Sequence, residues 1–265
     1  MTLLVGIVCD SGAVIAADRQ ASHGVFGNVT VGHQVSKINT IGGNTLFASS
    51  GPVGLGQQFA SIVQGELPQF KNRNYAGLAT LLQKKVREIL DPALQTAGHA
   101  TRVIGQAAQN DVLCSSLLAT EFKDGLQLIE ISAQGGFECL TPQLPYVCQG
   151  SGKQNADPFL AFIWSVYFSS SRPNISEAVL AAYWTVKVAI DLKSSGVGFA
   201  PDVSVLEKAT GGPGYIARQL GPNDLKETND FIAEAESALR SIRDRMKPSG
   251  GDVSQPPTLP RGTQT

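Results

Sequence analysis

The sequence is poor in charge. Asp, Glu, Lys and Arg make up 16% of its 265 residues and nearly cancel, to a formal net charge of −1. An ordinary soluble domain carries roughly 25%. A near-neutral chain has no electrostatic footprint for a polyanion, which argues against nucleic acid as the main partner. A surface so sparse in charge is expected to be covered in part by other subunits. No apolar run reaches the ~18–20 residues that a membrane helix needs. The first residues lack the basic segment of a secretory signal, and Gly6 and Asp10 interrupt their apolar stretch. Histidine is scarce as well. His23, His33 and His99 show no metal-ligand spacing and leave few candidates for a His-dependent triad. The four cysteines, Cys9, Cys114, Cys139 and Cys148, lie far apart with no CxxC. Each falls in an apolar, strand-like run, so buried free thiols and a cytoplasmic location are expected.

What the chain does have is a series of apolar runs punctuated by glycine. Residues 3–9 and 12–18 read as two strands turned by Asp10-Ser11-Gly12, apolar enough for both faces to be buried. Residues 20–34 carry no clear period and read as a surface loop with a short strand near 28–31. A second pair follows at 35–41 and 44–50. Gly51-Pro52-Val53 then opens a helix, where proline suits the first turn. A further helix is predicted over 74–96, with Leu78, Leu82, Val86 and Leu90 on its buried face and Pro92 kinking or ending it. Strands return at 112–122, 126–132, 136–141 and 145–149. Helices follow at 154–169 and 174–192, the second capped by Asn174 or Ser176 with Glu177 in its first turn. A strand near 201–206 closes the series. Segregated runs of strands and helices predict an α+β protein with sheets packed on each other and helices outside.

Beyond that point the composition changes. Residues 209–221 are glycine-rich and loop-like, 223–246 read as one more amphipathic helix, and the piece from 247 onward has the composition of a disordered tail. The expected division is therefore 1–206, 207–246 and 247–265.

Chemistry is expected at the very start. Thr2 stands directly behind Met1, and threonine is small enough for the methionine to be trimmed. A terminal threonine carries nucleophile and base in one residue, because the hydroxyl attacks while the free α-amine takes the proton. An unperturbed α-amine titrates near ~7.7–8.0, and a nearby cation lowers that value. Lys37 is the candidate cation and Asp18 the carboxylate that would hold it. Gly51, where a strand turns into a helix, is well placed to offer an amide to an oxyanion.

These residues resemble a known family. Thr2, the phrase Val14-Ile15-Ala16-Ala17-Asp18-Arg19-Gln20-Ala21-Ser22, Lys37 and Ser50-Gly51 look like the first third of a proteasome β subunit or of its bacterial relative HslV. Gln149-Gly150-Ser151-Gly152 is similar to that family's glycine–serine turn, and Asp191-Leu192-Lys193-Ser194-Ser195-Gly196 to its Asp-x-x-Ser-Gly segment. A chain opening Met-Thr with a long C-terminal extension most resembles the betaproteobacterial proteasome homologue, and shares features with the ancestral β-type subunits called Anbu. The resemblance implies a four-layer α/β/β/α N-terminal nucleophile hydrolase over 2–206, followed by a helical extension. It implies Thr2 as nucleophile, Asp18 and Lys37 beside it, Gly51 for the oxyanion, and Ser151, Asp191 and Ser194 around the terminal amine. Ala21, Ser22, Val35, Ser49 and Val53 would contribute to substrate binding, and their small or apolar character predicts a preference for uncharged side chains. The spacing from Asp18 to Lys37 is about three residues longer than the family's usual one. The implied activity is threonine-type peptide hydrolysis in a ring or stacked double ring of identical subunits, with no metal or organic cofactor. An ATP-dependent unfoldase would be a natural partner, although no residue identifies one. Two other readings stay open: a non-catalytic ring or scaffold subunit, and a small-molecule amide hydrolase. The extension would pack on a neighbouring subunit, line or plug an entrance, or cover an apolar patch.

Overall fold

The computed structural model describes residues 2–25, 28–104, 112–168, 172–193 and 196–246. The expected tail at 247–265 lies outside them. Residue contacts divide the chain into one unit, Met1–Asp224, and a second, Leu225–Thr265.

Two sheets form the centre of the first unit. The apolar runs at its start make β1 (Leu4–Val8) and β2 (Gly12–Ala17), an antiparallel pair in which every residue is buried. Burial on both faces explains why neither strand alternates with polar residues. β10 (Tyr146–Gln149) pairs with the outer side of β1, and β11 (Asp202–Lys208) with the outer side of β2. β12 (Tyr215–Gln219) then pairs with β11, giving the order β10-β1-β2-β11-β12. The second sheet runs β5 (Ile38–Ile41), β6 (Thr45–Ser50), β7 (Ser115–Phe122), β8 (Gly125–Ile131) and β9 (Phe137–Cys139), all antiparallel.

The pleat sorts side chains between layers. Leu4, Val8, Ala13, Ile15 and Ala17 of one sheet meet Leu46, Ala48, Leu117, Ala119 and Leu128 of the other in a shared core. The opposite face of the second sheet, with Phe47, Leu118 and Ile129, packs on Phe59, Val63, Leu78, Leu82, Val86 and Leu90 of α1 (Val53–Phe70) and α2 (Tyr75–Ile104). α3 (Lys153–Tyr167) and α4 (Ile175–Asp191) cover the first sheet, α4 through its contacts with β1 and β2. The result is the four-layer α/β/β/α sandwich. Asn174 caps α4 by accepting from Glu177 N at 3.0 Å, while Glu177 Oε2 accepts from Asn174 N at 2.8 Å, a reciprocal capping box.

Three local expectations change. The stretch 20–34, read as a surface loop with a short strand near 28–31, has that strand within β4 (Asn28–Gln34), which pairs in a hairpin with the unforeseen β3 (Gln20–Val25), with an irregularity between His23 and Gly24. Gln20–Val25 carries no period-two apolar pattern, so only pairing reveals β3. The helix over 74–96 does not end at Pro92 but continues to Ile104. Burial of Val86, Leu90 and Ala97 outweighs the lost backbone bond, as tertiary packing commonly does. The glycine-rich stretch 209–221 contains β12, which is held by the sheet rather than by its own propensity. α5 (Lys226–Met246) forms the helix of the second unit.

The sandwich core sets the stability of the first unit. Leu117→Ala should cost about 2–5 kcal/mol in denaturant unfolding, since Leu117 is completely buried between the sheets. Asn174→Ala should cost about 1 kcal/mol through loss of the cap.

Candidate active site

The chain enters β1 through Thr2, and Thr2 is gripped along its backbone. Its nitrogen donates to Ser151 Oγ at 3.2 Å. Its carbonyl oxygen accepts from Gly152 N at 3.2 Å and from Ser151 Oγ at 3.4 Å. The next peptide N–H, that of Leu3, donates to Asp18 Oδ1 at 2.8 Å. Thr2 is only 5% exposed. The turn that grips it requires glycine: Gly150 has φ +92°, and a Cβ there would stand 2.1 Å from Thr2 O and 3.0 Å from Ser50 Oγ. The end of β6 is therefore at the threonine. Gly51 follows Ser50 with φ +115°, and a Cβ there would strike the Leu113 carbonyl oxygen at 2.2 Å. A glycine bend, Gly51 leads through Pro52 into α1.

Asp18 stands one residue past β2 and is fully buried. Its Oδ1 takes Leu3 N and Lys37 Nζ, the latter at 2.6 Å; its Oδ2 takes Gln20 N at 3.0 Å and Gly198 N at 3.2 Å. Lys37, just before β5, is itself 9% exposed at its side chain. Burial pulls its ammonium below the usual lysine range, and the Asp18 carboxylate opposes that pull by charge and hydrogen bond. The lysine cation thus lies one shared acceptor atom away from Leu3 N, beside the threonine.

The structure brings Thr2, Asp18, Lys37, Gly51 and Ser151 to one end of the sandwich. Among the described residues Asp191 makes no hydrogen bond to any of these. Asp191 ends α4 with a 60% exposed side chain, and its Oδ2 pairs with Lys187 Nζ one helical turn back at 2.8 Å. Helical spacing supplies that partner. Ser194 lies outside the described residues. Of the substrate-binding candidates, Ala21 stands on β3 opposite His33, Ser49 is half-buried near the end of β6, Val35 is 37% exposed, and Val53 opens α1 at 60% exposure. The side chain of Ser22 falls outside the described residues. Gly152 and Gly198 were not singled out as donors by the sequence. They act through backbone N–H groups, which leave no residue-type signal beyond their glycine-rich surroundings. Among the described residues no group of three or more His, Cys, Asp or Glu is arranged to hold a metal ion, and no helix is long and apolar enough to cross a membrane.

Comparison with known proteins settles the family. The proteasome subunit family model matches residues 2–200. The chain belongs to the proteasome subunit family. A proteasome β subunit of Methanocella paludicola is 32% identical over 78 residues, 29% of this chain and 37% of that subunit. The chain thus matches little more than a third of that curated relative's length. In fold, this proteasome-family chain is similar to the Anbu ancestral β-subunit of Yersinia bercovieri, with a TM-score of 0.65 at 21% identity, covering 96% of this chain and 100% of that one. It is similar too to Anbu of Pseudomonas aeruginosa, with a TM-score of 0.64 at 18% identity and coverage of 97% and 98%.

The buried pair tests the architecture of this end. Lys37→Met leaves a buried carboxylate without its counter-charge and should destabilise the protein by about 3–5 kcal/mol. Asp18→Ala should be at least as harmful, because it also strands three backbone donors from separate segments. Urea unfolding of both variants measures the difference.

Proposed function

We propose that this proteasome-family chain is a threonine-type peptidase subunit that acts inside a particle assembled from copies of itself. The observation that carries this reading is the grip on Thr2 together with the buried Asp18–Lys37 pair beside it. Removal of Met1 would turn the Thr2 nitrogen, already aimed at Ser151, into a free α-amine. A nearby lysine cation keeps such an amine neutral at lower pH and favours the alkoxide.

In this mechanism the Thr2 hydroxyl oxygen bonds to the substrate carbonyl carbon, and its proton passes to the α-amine. The Gly51 amide supports the oxyanion. Collapse breaks the peptide C–N bond, and the leaving nitrogen takes the proton from the amine. Water then attacks the ester by the reverse transfers and frees Thr2. Ser151 orients the amine, while Asp18 and Lys37 set its electrostatics. Ala21, Ser22, Val35, Ser49 and Val53 border a subsite suited to uncharged side chains. Asp191, whose Oδ2 pairs with Lys187, and Ser194 would complete the polar cluster around the amine. Self-assembly draws support from the charge-poor composition and from the Pseudomonas aeruginosa Anbu complex, which is a helical assembly. The sequence features favour a cytoplasmic site of action.

Thr2→Ala should lower peptide cleavage at least about 10³-fold and leave particle size unchanged; undiminished cleavage would overturn Thr2 as the nucleophile. The pH profile follows from the charges. Activity should rise as the Thr2 α-amine loses its proton, then fall as Lys37 loses its own. Because burial lowers the Lys37 pKa, the alkaline fall should begin below the ~10.4 of a free lysine. Peptidase rates across pH 6 to ~11 measure both limbs.

A further inference from the structure

Asp202 opens β11 opposite Ala17, the residue before Asp18. It is only 3% exposed, and both of its carboxylate oxygens are engaged by other segments. Oδ2 accepts from Ser36 Oγ at 2.6 Å, and Oδ1 from Gln219 Nε2 at 2.8 Å. Gln219 lies on β12 opposite Ser204, diagonally across from Asp202. Burial of a carboxylate is costly unless its oxygens are hydrogen-bonded, so the acid and its two donors hold one another in place.

Ser36 is the residue before Lys37. Val35, Ser36 and Lys37 connect β4 to β5 and deliver the lysine to Asp18. A lysine side chain is long and rich in rotamers, so the place its Nζ reaches depends on how firmly the backbone beneath it is held. Val35 N donates to Arg19 O at 2.9 Å, which ties the connection to the residue after Asp18. The Ser36 hydroxyl ties it to β11. That hydroxyl has one proton and two acceptors in reach, Asp202 Oδ2 at 2.6 Å and Ile38 O at 3.1 Å. The carboxylate is the closer and the stronger acceptor, so it takes the proton. Without Asp202 the hydroxyl would turn to Ile38 O, a local bond that anchors the connection to no other sheet.

We propose that Asp202 is a positioning residue of the candidate active site: braced by Gln219, it clamps Ser36 and thereby fixes Lys37 against Asp18. The role deepens the peptidase reading and rests on it. It gives the strand Tyr215–Gln219 a part in the site.

Ser36→Ala, Ser36→Thr and Asp202→Asn in the full chain test the clamp by two readouts. In peptide cleavage, Ser36→Ala should lower kcat about tenfold with KM unchanged, as loss of alignment rather than of substrate binding does. Ser36→Thr keeps the hydroxyl and should stay near the unsubstituted rate. Asp202→Asn should lower kcat too, and adding it to Ser36→Ala should cost little more, because both remove one link. Trace acetylation by acetic anhydride, mapped by peptide mass, reads Lys37 without any cleavage. Its labelling relative to the exposed Lys153 should rise about tenfold in Ser36→Ala, as local opening becomes easier, and not in Ser36→Thr. Lys37 labelling unchanged by Ser36→Ala would overturn the proposal. So would a Ser36→Thr chain as impaired as Ser36→Ala, fully additive losses, or an unchanged kcat for Ser36→Ala or Asp202→Asn in a chain that cleaves. An unsubstituted chain that cleaves no peptide would overturn the peptidase reading instead, and Lys37 labelling would then decide the clamp by itself.

Discussion

The Asp18 carboxylate, buried at the end of β2, is where four separate pieces of chain meet. It takes the Leu3 amide from the start of β1, the Gln20 amide at the start of β3, the Gly198 amide after α4, and the Lys37 ammonium before β5. A buried charge is costly unless it is both paired and hydrogen-bonded, so none of these donors is dispensable locally. The consequence reaches Thr2. Its flanking peptide is fixed by Asp18 on one side and by Ser151 and Gly152 on the other, which sets the direction of the threonine. Pre-positioning of this kind is what the proposed nucleophile would need, because misplacement by an ångström costs orders of magnitude in rate.

The sandwich provides the frame. Alternation along β1 and β6 sends Leu4, Leu46 and Ala48 into the shared core. The core ends where polar residues and glycines replace the apolar ones, at Thr2, Ser50 and Gly150. Close approach of the two sheets at that point depends on the missing side chain of Gly150. The candidate site thus sits at one end of the double sheet, with Ser50 closing β6 and Thr2 two residues ahead of β1.

Much of this was legible in the sequence. The continuous apolar runs at 3–9 and 12–18 announced buried strands, and Asn174 with Glu177 announced a helix start. The meeting of Asp18 with Lys37 could be anticipated from strand ends and family resemblance. Other parts were hidden for physical reasons. The hairpin at Gln20–Gln34 and the strand Tyr215–Gln219 are held by partners distant in sequence and carry weak local patterns. α2 runs through Pro92 because its buried face holds it. Asp191 matched a motif, but an i−4 lysine and open solvent gave its carboxylate a different partner. The amides of Gly152 and Gly198 carry no side-chain signature at all.

The central claim is that Thr2 is a free, activated N-terminal nucleophile. Intact mass of untagged protein, with and without a peptide epoxyketone, tests it most directly, since that warhead joins a hydroxyl and an amine of one residue. The account predicts loss of Met1 and one adduct per chain, mapped to Thr2. A chain that keeps Met1 and forms no adduct would contradict it.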